Sequence, residues 1–173
     1  MFYKITDKQS STYQQLRSIR ENEIRIEREN AAKVETLLGF PITRFVGRIS
    51  QNSLERVTIY SGFEFPEGII PDPKAWKPSK EHRGIYVPNR RTKEGRNIYR
   101  QLCSLERSVT FWDIWEIVEA VSPYGSFQFP KVYLCGDTLL VYLDEQQTPK
   151  NTALVEITKT EFDRIFESAP ERK

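Results

Sequence analysis

The sequence predicts an α+β fold, in which helices and antiparallel strands occupy separate stretches of the chain. Three observations support this prediction: a long helical repeat opens the chain, two alternating strand patterns follow it, and a hairpin pattern lies near the C-terminus. Helices and strands that do not alternate one by one favour α+β over a parallel α/β sheet. We expect a long N-terminal helix, an antiparallel sheet with a C-terminal β-meander, two central helices and a short C-terminal helix.

The bulk composition indicates a soluble globular protein. The chain has 173 residues, of which 38% are hydrophobic and 29% are charged. A chain of this length is most simply one domain, residues 1–173, which buries about 70% of the surface that its unfolded form exposes. The first residues lack a basic start and a long apolar run, and no apolar stretch reaches about 18 residues. We therefore expect a cytoplasmic protein without a membrane-spanning segment.

A helix is predicted from about Asp7 to Leu38, because apolar residues recur on one face with a period near 3.6. Gly39 suits the position after the last turn, and Pro41 prevents continuation. At 1.5 Å per residue the helix is roughly 45 Å long, so part of residues 1–40 should project or pack against another chain. The apolar stripe consists of Leu16, Ile19, Ile24, Ile26, Ala31, Val34, Leu37 and Leu38.

Charged residues within the same arc leave two interpretations of this helix open. Arg20 can form an ion pair with Glu23 three residues on, whereas Glu23 and Glu27 repel each other. In one interpretation the helix is kinked near Asn22, half packed and half solvated. In the other it forms a homodimer, in which Arg20 of one chain pairs with Glu27 of the other.

Two strands should follow the helix. The stretches 43–50 and 55–65 alternate apolar with mostly polar residues, and residues 51–53 would connect them as a hairpin turn. We expect each strand to bury one face, as strands of antiparallel sheets do. On the first strand the apolar face would carry Phe45 and Ile49.

Regular patterning stops at residues 66–89, which we interpret as a proline-rich irregular loop. Five of the ten prolines of the chain lie there, too closely spaced for a helix or a central strand. Long irregular segments inside compact domains are usually functional or disordered. Apolar side chains that can pin this loop to the body argue against disorder. They are Trp76, Ile85, Tyr86 and Val87.

The remaining chain is predicted as two helices, three strands and a final helix. Thr92 is a candidate N-cap, and either Thr158 or Thr160 caps the final helix, with Glu161 completing a capping box for Thr158. The first of the three strands has no polar face, which predicts a central position in the sheet. The expected ranges are helices 92–102 and 110–121, strands 131–135, 138–144 and 153–157, a helix 158–166 and a flexible tail 168–173, with Pro123 and Gly125 ending the second helix.

The concentration of positive charge between Lys74 and Arg100 is the strongest functional signal. This stretch has nine Lys or Arg against two Glu, a net charge of +7, so the rest of the chain must sum to −5. Such a field beside aromatic faces suits phosphates, nucleotides, nucleic acid or an acidic protein surface. The candidate binding residues are Arg90, Arg91, Lys93, Arg96, Arg100, Lys77, Lys80, Arg83, Trp76, Tyr86 and Tyr99.

The start of the helix after Thr92 is a candidate backbone anion site. The N–H groups of Lys93, Glu94 and Gly95 would lack intrahelical partners, and Gly95 would let a ligand approach the backbone. Two guanidinium groups, of Arg90 and Arg91, precede this helix start and could grip a phosphate or carboxylate. The alternative is a solvated charge run, in which the arginines pair with Asp113, Glu116 and Glu119.

Other chemistry-bearing residues give weaker signals. His82 is the only histidine and lies among charges, so it is more simply an exposed residue than a general base. The acidic residues of helix 110–121 resemble a solvated face more than a metal site, and we expect no metal and no cofactor. Cys103 and Cys135 are expected to be buried free thiols. Trp112 lies on the polar face of its helix and is a candidate contact for a protein partner.

Three segments of the sequence resemble small uncharacterised accessory proteins of tailed phages and prophages of Gram-negative bacteria. They are the opening residues 2–7, the end of the first helix at Leu38-Gly39, and Trp76-Lys77 together with the stretch from Tyr86 to Gly95. The resemblance covers about the first 105 residues. It implies a host-cytoplasm setting and a protein that inhibits or redirects a host or defence component by binding.

The resulting hypothesis is a non-enzymatic binding protein that engages an anionic partner through its basic and aromatic segment. That partner would be a nucleic acid, a signalling nucleotide or an acidic protein surface. One alternative is a protein–protein inhibitor that acts through the long helix and Trp112. Another is a small enzyme that acts on a nucleotide or a nucleic acid.

Overall fold

The structure, a computed structural model, describes residues 1–51, 56–121, 130–144 and 147–169. It is an α+β fold with two antiparallel sheets of four strands each, which confirms the predicted class. The chain divides into two compact units: Met1–Ile24 with Val109–Lys173, and Arg25–Ser108. The expectation of a single domain, residues 1–173, stays a prediction.

The described residues form four helices and ten strands. In chain order they are β1 (Phe2–Ile5), α1 (Ser11–Leu38), β2 (Phe45–Gln51), β3 (Arg56–Glu64), β4 (Trp76–Pro78), β5 (Ile85–Pro88), α2 (Lys93–Cys103), α3 (Phe111–Val118), β6 (Ala120–Val121), β7 (Lys131–Cys135), β8 (Thr138–Tyr142), β9 (Thr148–Pro149), β10 (Val155–Ile157) and α4 (Lys159–Ser168).

The long first helix is confirmed, but it starts later than predicted. Residues 7–10 form a turn instead, in which the Gln9 N–H donates to the Asp7 carboxylate at 3.0 Å. The C-terminal end is as predicted, because Gly39 has a φ of 79° and its N–H donates to the Glu35 carbonyl at 2.8 Å. A left-handed glycine after the last turn is a common way to end a helix.

The apolar stripe of α1 is covered within the chain. Leu16 is fully buried in the core of the first unit, and Val34 is buried in the core of the second. Arg20 is buried and paired with Glu23, as predicted, and Glu27 accepts a hydrogen bond from the Thr58 N–H at 3.3 Å. The other stripe residues except Ile26 are half-buried, so a dimer through this helix stays a prediction.

The sheet of the first unit has the order β10-β1-β8-β7, with all neighbours antiparallel. The three strands predicted near the C-terminus correspond to β7, β8 and β10 and lie in this sheet. In the sheet, β1 separates β8 from β10. β1 is not among the strands predicted from the sequence, although the alternation of Phe2 and Lys4 with buried Tyr3 and Ile5 is a short strand signal.

The predicted central position of β7 is wrong, since β7 lies at the end of the described strand order. Its lack of a polar face has another cause. Val132 packs into the main core of the unit, whereas Tyr133 contacts Phe162 and Phe166 of α4 on the opposite face. A strand whose two faces are both covered has apolar residues on both faces, even when only one of its edges is paired.

Local hydrogen bonds explain where α3 ends and where α4 begins. α3 ends at Val118, earlier than predicted, because Glu119 adopts a left-handed φ of 51° and its N–H closes on the Trp115 carbonyl at 2.9 Å. α4 begins as predicted, with the Thr158 hydroxyl accepting from the Glu161 N–H at 3.1 Å. Pro123 and Gly125, and the tail beyond residue 169, lie outside the described residues.

The sheet of the second unit has the order β2-β3-β5-β4. The predicted hairpin of β2 and β3 is confirmed, and its turn, residues 52–55, lies outside the described residues. The prediction that β2 buries its apolar face is wrong, since Phe45 and Ile49 are 43% and 53% exposed. β2 is an edge strand, so one neighbour covers only part of it.

The proline-rich segment 66–89 is more regular than predicted, because it contains β4 and β5. Its prolines are compatible with these strands since they lie at strand ends: Pro78 ends the edge strand β4, and Pro88 ends β5. Ile85 is 1% exposed and Trp76 is 8% exposed. The prediction that these side chains pin the segment to the core is confirmed.

Candidate functional site

The basic segment is built from the hairpin of β4 and β5 and from the helix α2 that follows it. The Asn89 N–H donates to the Ala75 carbonyl at 2.8 Å, and the Thr92 hydroxyl donates to the Lys74 carbonyl. These bonds hold the start of α2 against the chain that leads into β4. The basic residues of the β4–β5 hairpin and those of α2 therefore lie on neighbouring elements of the second unit.

The basic residues of α2 occupy the face opposite to its packing face. Leu102 and Gly95 are buried, whereas Lys93, Arg96 and Arg100 are exposed. Positions three and four apart share one face of a helix, so these three side chains form a stripe. From Lys93 to Arg100 the stripe is about 10 Å long. We call Lys93, Arg96, Arg100, Arg90, Arg91, Lys74, Lys77, Lys80 and Arg83 the basic surface; all nine are exposed.

The aromatic residues of the basic segment differ in burial: Trp76 and Tyr86 pack against the core, whereas Tyr99 is exposed. The Trp76 ring lies edge-on against Phe63 and Phe65, with centroids 6.0 and 5.2 Å apart, and Tyr86 packs against Phe65 at 5.4 Å. The prediction that Trp76 serves as a ligand contact is wrong because its ring is buried in the core. Tyr99 alone is exposed, at 37%, and the Arg90 guanidinium lies 4.0 Å from its ring centroid.

The backbone anion site at Lys93, Glu94 and Gly95 is not supported at Gly95. Thr92 caps the helix, and its hydroxyl accepts from the Gly95 N–H at 3.0 Å. The space beside Gly95 is also filled, because an added Cβ would lie 1.8 Å from the Asn89 carbonyl oxygen. Gly95 is therefore a packing requirement of the turn before α2, and no ligand can approach there.

The charges of the basic surface have no ion-pair partner among the described carboxylates of their own unit. The Arg96 guanidinium donates to the Arg91 carbonyl at 3.0 Å, which leaves its charge uncompensated. The second unit has 16 Lys or Arg against 10 Asp or Glu, and the first unit has 10 against 14. Net charges of +6 and −4 show that positive charge is concentrated in the second unit. Pairing with Asp113, Glu116 and Glu119, which belong to the first unit, stays a prediction.

One basic residue near this surface was missed from the sequence. The Arg44 guanidinium donates to the Arg83 carbonyl at 3.1 Å and lies 3.8 Å from the Glu64 carboxylate. Arg44 thus joins the turn between β4 and β5 from a distant part of the sequence. Its alternation with Phe45 identified a strand but gave no sign of which turn the strand would meet.

The other candidate residues are mostly exposed. His82 lies in the turn between β4 and β5, and Trp112 is 47% exposed, as predicted for both. Cys135 is buried as predicted, but the prediction for Cys103 is wrong, since this thiol is exposed at the end of α2. Within the described ranges, no three His, Cys, Asp or Glu side chains are placed to hold a metal ion.

Comparison with models of protein families, with characterised proteins and with solved structures gives no match to this chain. Among the described residues, no helix combines the length and the apolar character that crossing a bilayer requires. The geometry and charge of the chain itself are therefore the observations that bear on its function.

Proposed function

We propose that this protein binds nucleic acid, without catalysis, through the phosphate contacts of its basic surface. The observation that carries the proposal is the set of nine exposed Lys and Arg side chains that have no carboxylate partner among the described residues of their unit. Uncompensated surface cations attract phosphates, and release of condensed counterions then drives binding.

The extended arrangement favours a polymer over a single nucleotide. The nine cations follow the β4–β5 hairpin and one face of α2, and none of them lines the cavity that residues 32–37 and 101–105 form in the described part of this unit. A small ligand needs a pocket that buries most of its surface. At the predicted small-anion site of this segment, the Gly95 N–H is already bonded to the Thr92 hydroxyl, so only the N–H groups of Lys93 and Glu94 remain for a ligand. A phosphate backbone can instead follow an extended row of charges.

The biological setting of this proposal comes from the sequence resemblance alone. On that basis the protein is a phage accessory protein that acts in the host cytoplasm and modulates a host or anti-phage defence component. Binding to nucleic acid would then shield or redirect a substrate of that component.

The test is fluorescence anisotropy with labelled DNA duplex, single-stranded DNA and RNA over a range of salt concentrations. Each neutralised phosphate contributes about 0.9 to the slope of log K against log salt on a duplex. Arg96→Glu with Arg100→Glu should weaken binding at least about tenfold and lower the slope by about 2. Lys150→Glu makes the same kind of charge change in the first unit and should have little effect. Absence of binding to all three nucleic acids at low salt would refute the proposal.

A protein–protein inhibitor is the second candidate, and the exposure of Trp112 favours it. Exposed tryptophans are frequent centres of binding energy at protein interfaces. Under this alternative, Trp112→Ala abolishes recovery of one stoichiometric protein from host lysate, whereas the Arg96→Glu, Arg100→Glu variant recovers it normally.

A further inference from the structure

The outer edge of β2 is unpaired among the described strands and carries two large exposed apolar side chains. β2 is seven residues long and ends the strand order β2-β3-β5-β4. Phe45 and Ile49 are 43% and 53% exposed and lie four residues apart, on one face of the strand. A long edge strand with exposed apolar residues is a template for pairing with another strand.

The backbone groups of alternate β2 residues point to this open edge. The Arg44 carbonyl accepts from the Glu64 N–H of β3 at 2.9 Å, so Arg44 faces β3. In an antiparallel pair the residues that bond to one neighbour alternate with those that face away. The register shift between Val46 and Gly47 places the extra residue in β3, so the alternation along β2 continues. Phe45, Gly47 and Ile49 therefore present their N–H and C=O groups outward.

We propose that β2 pairs antiparallel with β2 of a second copy of this chain, with Gly47 on the two-fold axis. In this register each Phe45 lies opposite Ile49 of the other copy. The two-fold axis makes two such pairs, so Phe45 and Ile49 of both copies are covered. Aromatic and β-branched residues directly opposite each other form favourable cross-strand pairs. A two-fold interface uses the same patch on both subunits, which this pattern provides.

The arginines of β2 select this register over its neighbours. With the axis at Gly47, Arg48 lies opposite Val46 and Arg44 lies opposite Ser50, so no like charges face each other directly. Moving the axis to Val46 would place Arg44 opposite Arg48 of the second copy. Moving it to Arg48 would place that residue opposite itself. Like charges directly opposite destabilise a strand pair, so both neighbouring registers are disfavoured.

This interface is independent of the proposed nucleic-acid binding and differs from the dimer predicted through the first helix. Charged residues at strand edges commonly prevent association. Here they disfavour the two registers next to the proposed one, and they lie on the face of β2 opposite to Phe45 and Ile49.

Disulfide cross-linking tests the register directly. Residues in a hydrogen-bonded antiparallel pair have Cα atoms about 5.5 Å apart, within the range that a disulfide spans. We expect Phe45→Cys and Ile49→Cys proteins, mixed in a Cys103→Ser background, to form a covalent heterodimer under mild oxidation. Either protein alone should stay monomeric on a non-reducing gel, because identical positions lie about 13 Å apart along the strand.

Sedimentation gives the second measurement on the unmodified chain. The mass should rise with concentration from 20.4 kDa toward twice that value. Ile49→Lys should raise the dimer dissociation constant about tenfold or more, whereas Val155→Lys, which changes an equally exposed residue on the other sheet, should leave it unchanged. A constant mass of 20.4 kDa up to the solubility limit, or cross-linking of each single-cysteine protein with itself, overturns the proposal.

Discussion

Replacing Gly95 by alanine separates the packing role of this glycine from a role in ligand approach. The added Cβ would lie 1.8, 2.5 and 2.8 Å from the Asn89 carbonyl oxygen, carbonyl carbon and nitrogen. Real Cβ contacts are essentially never shorter than 3.0 Å, so the oxygen must move by more than 1 Å. All three atoms belong to the backbone, which no rotamer change can displace.

The cost of that displacement follows from the bonds that hold Asn89 in place. Its N–H donates to the Ala75 carbonyl at 2.8 Å, and its carbonyl accepts from the Thr92 N–H at 3.2 Å. The Thr92 hydroxyl proton is shared between the Asn89 carbonyl, at 2.9 Å, and the Lys74 carbonyl. Each bond contributes about 1 kcal/mol net, so losing them costs about 3 kcal/mol. Alanine regains about 1 kcal/mol of helix propensity. We expect Gly95→Ala to lower the free energy of unfolding by about 2 kcal/mol.

Urea unfolding followed by far-UV circular dichroism measures this loss. With a slope of about 2 kcal/mol per molar urea, the midpoint should fall by about 1 M. Asn97→Ala is the control, since Asn97 is exposed on the same helix and the change should stabilise by up to about 0.5 kcal/mol. If Gly95→Ala unfolds at the same midpoint as Asn97→Ala, the close packing against Asn89 is not real.

Two further predictions concern a buried ion pair and a buried tyrosine. Glu23→Gln should lower the free energy of unfolding by about 3 kcal/mol in urea titrations, because it leaves the Arg20 charge buried without its carboxylate. Burial, and then the Glu27 and Glu35 carboxylates, raise the pKa of Tyr60 above its value in the unfolded chain. The stability gained from the protonated phenol is complete below about pH 10 and is lost as pH rises through the folded pKa. Tyr60→Phe should therefore flatten the decline of urea midpoints above about pH 10.

Matched variants distinguish these effects from general damage. Glu21→Gln breaks an exposed pair with Arg17 on the same helix and should cost less than about 1 kcal/mol. A Glu23→Gln midpoint equal to that of Glu21→Gln contradicts the buried-charge argument. Tyr99→Phe changes an exposed tyrosine of the second unit and should leave the alkaline decline unchanged. An equal decline in Tyr60→Phe and the parent protein contradicts the tyrosine argument.

The sequence alone determined the helix ends that depend on residues only a few positions apart. Thr92 and Thr158 cap their helices and Gly39 ends α1 as predicted, because capping bonds reach only three or four residues along the chain. Charge is equally local in origin, so the concentration of Lys and Arg in the second unit could be predicted by counting. The pairing of Arg20 with Glu23 follows from helical spacing in the same way.

The tertiary structure decided whatever depends on which surfaces meet. Trp76 and Tyr99 have similar charged neighbours in sequence, yet one is buried against Phe63 and the other is exposed under Arg90. The place of β1 between β8 and β10 joins strands more than 130 residues apart, which no short-range pattern encodes. The sequence analysis assigned Gly95 to ligand approach, but a missing side chain suits a neighbouring backbone equally well. The Asn89 carbonyl that fills the space is fixed by its bonds to Thr92 and by the contact of Asn89 with Ala75, so long-range packing chose between them.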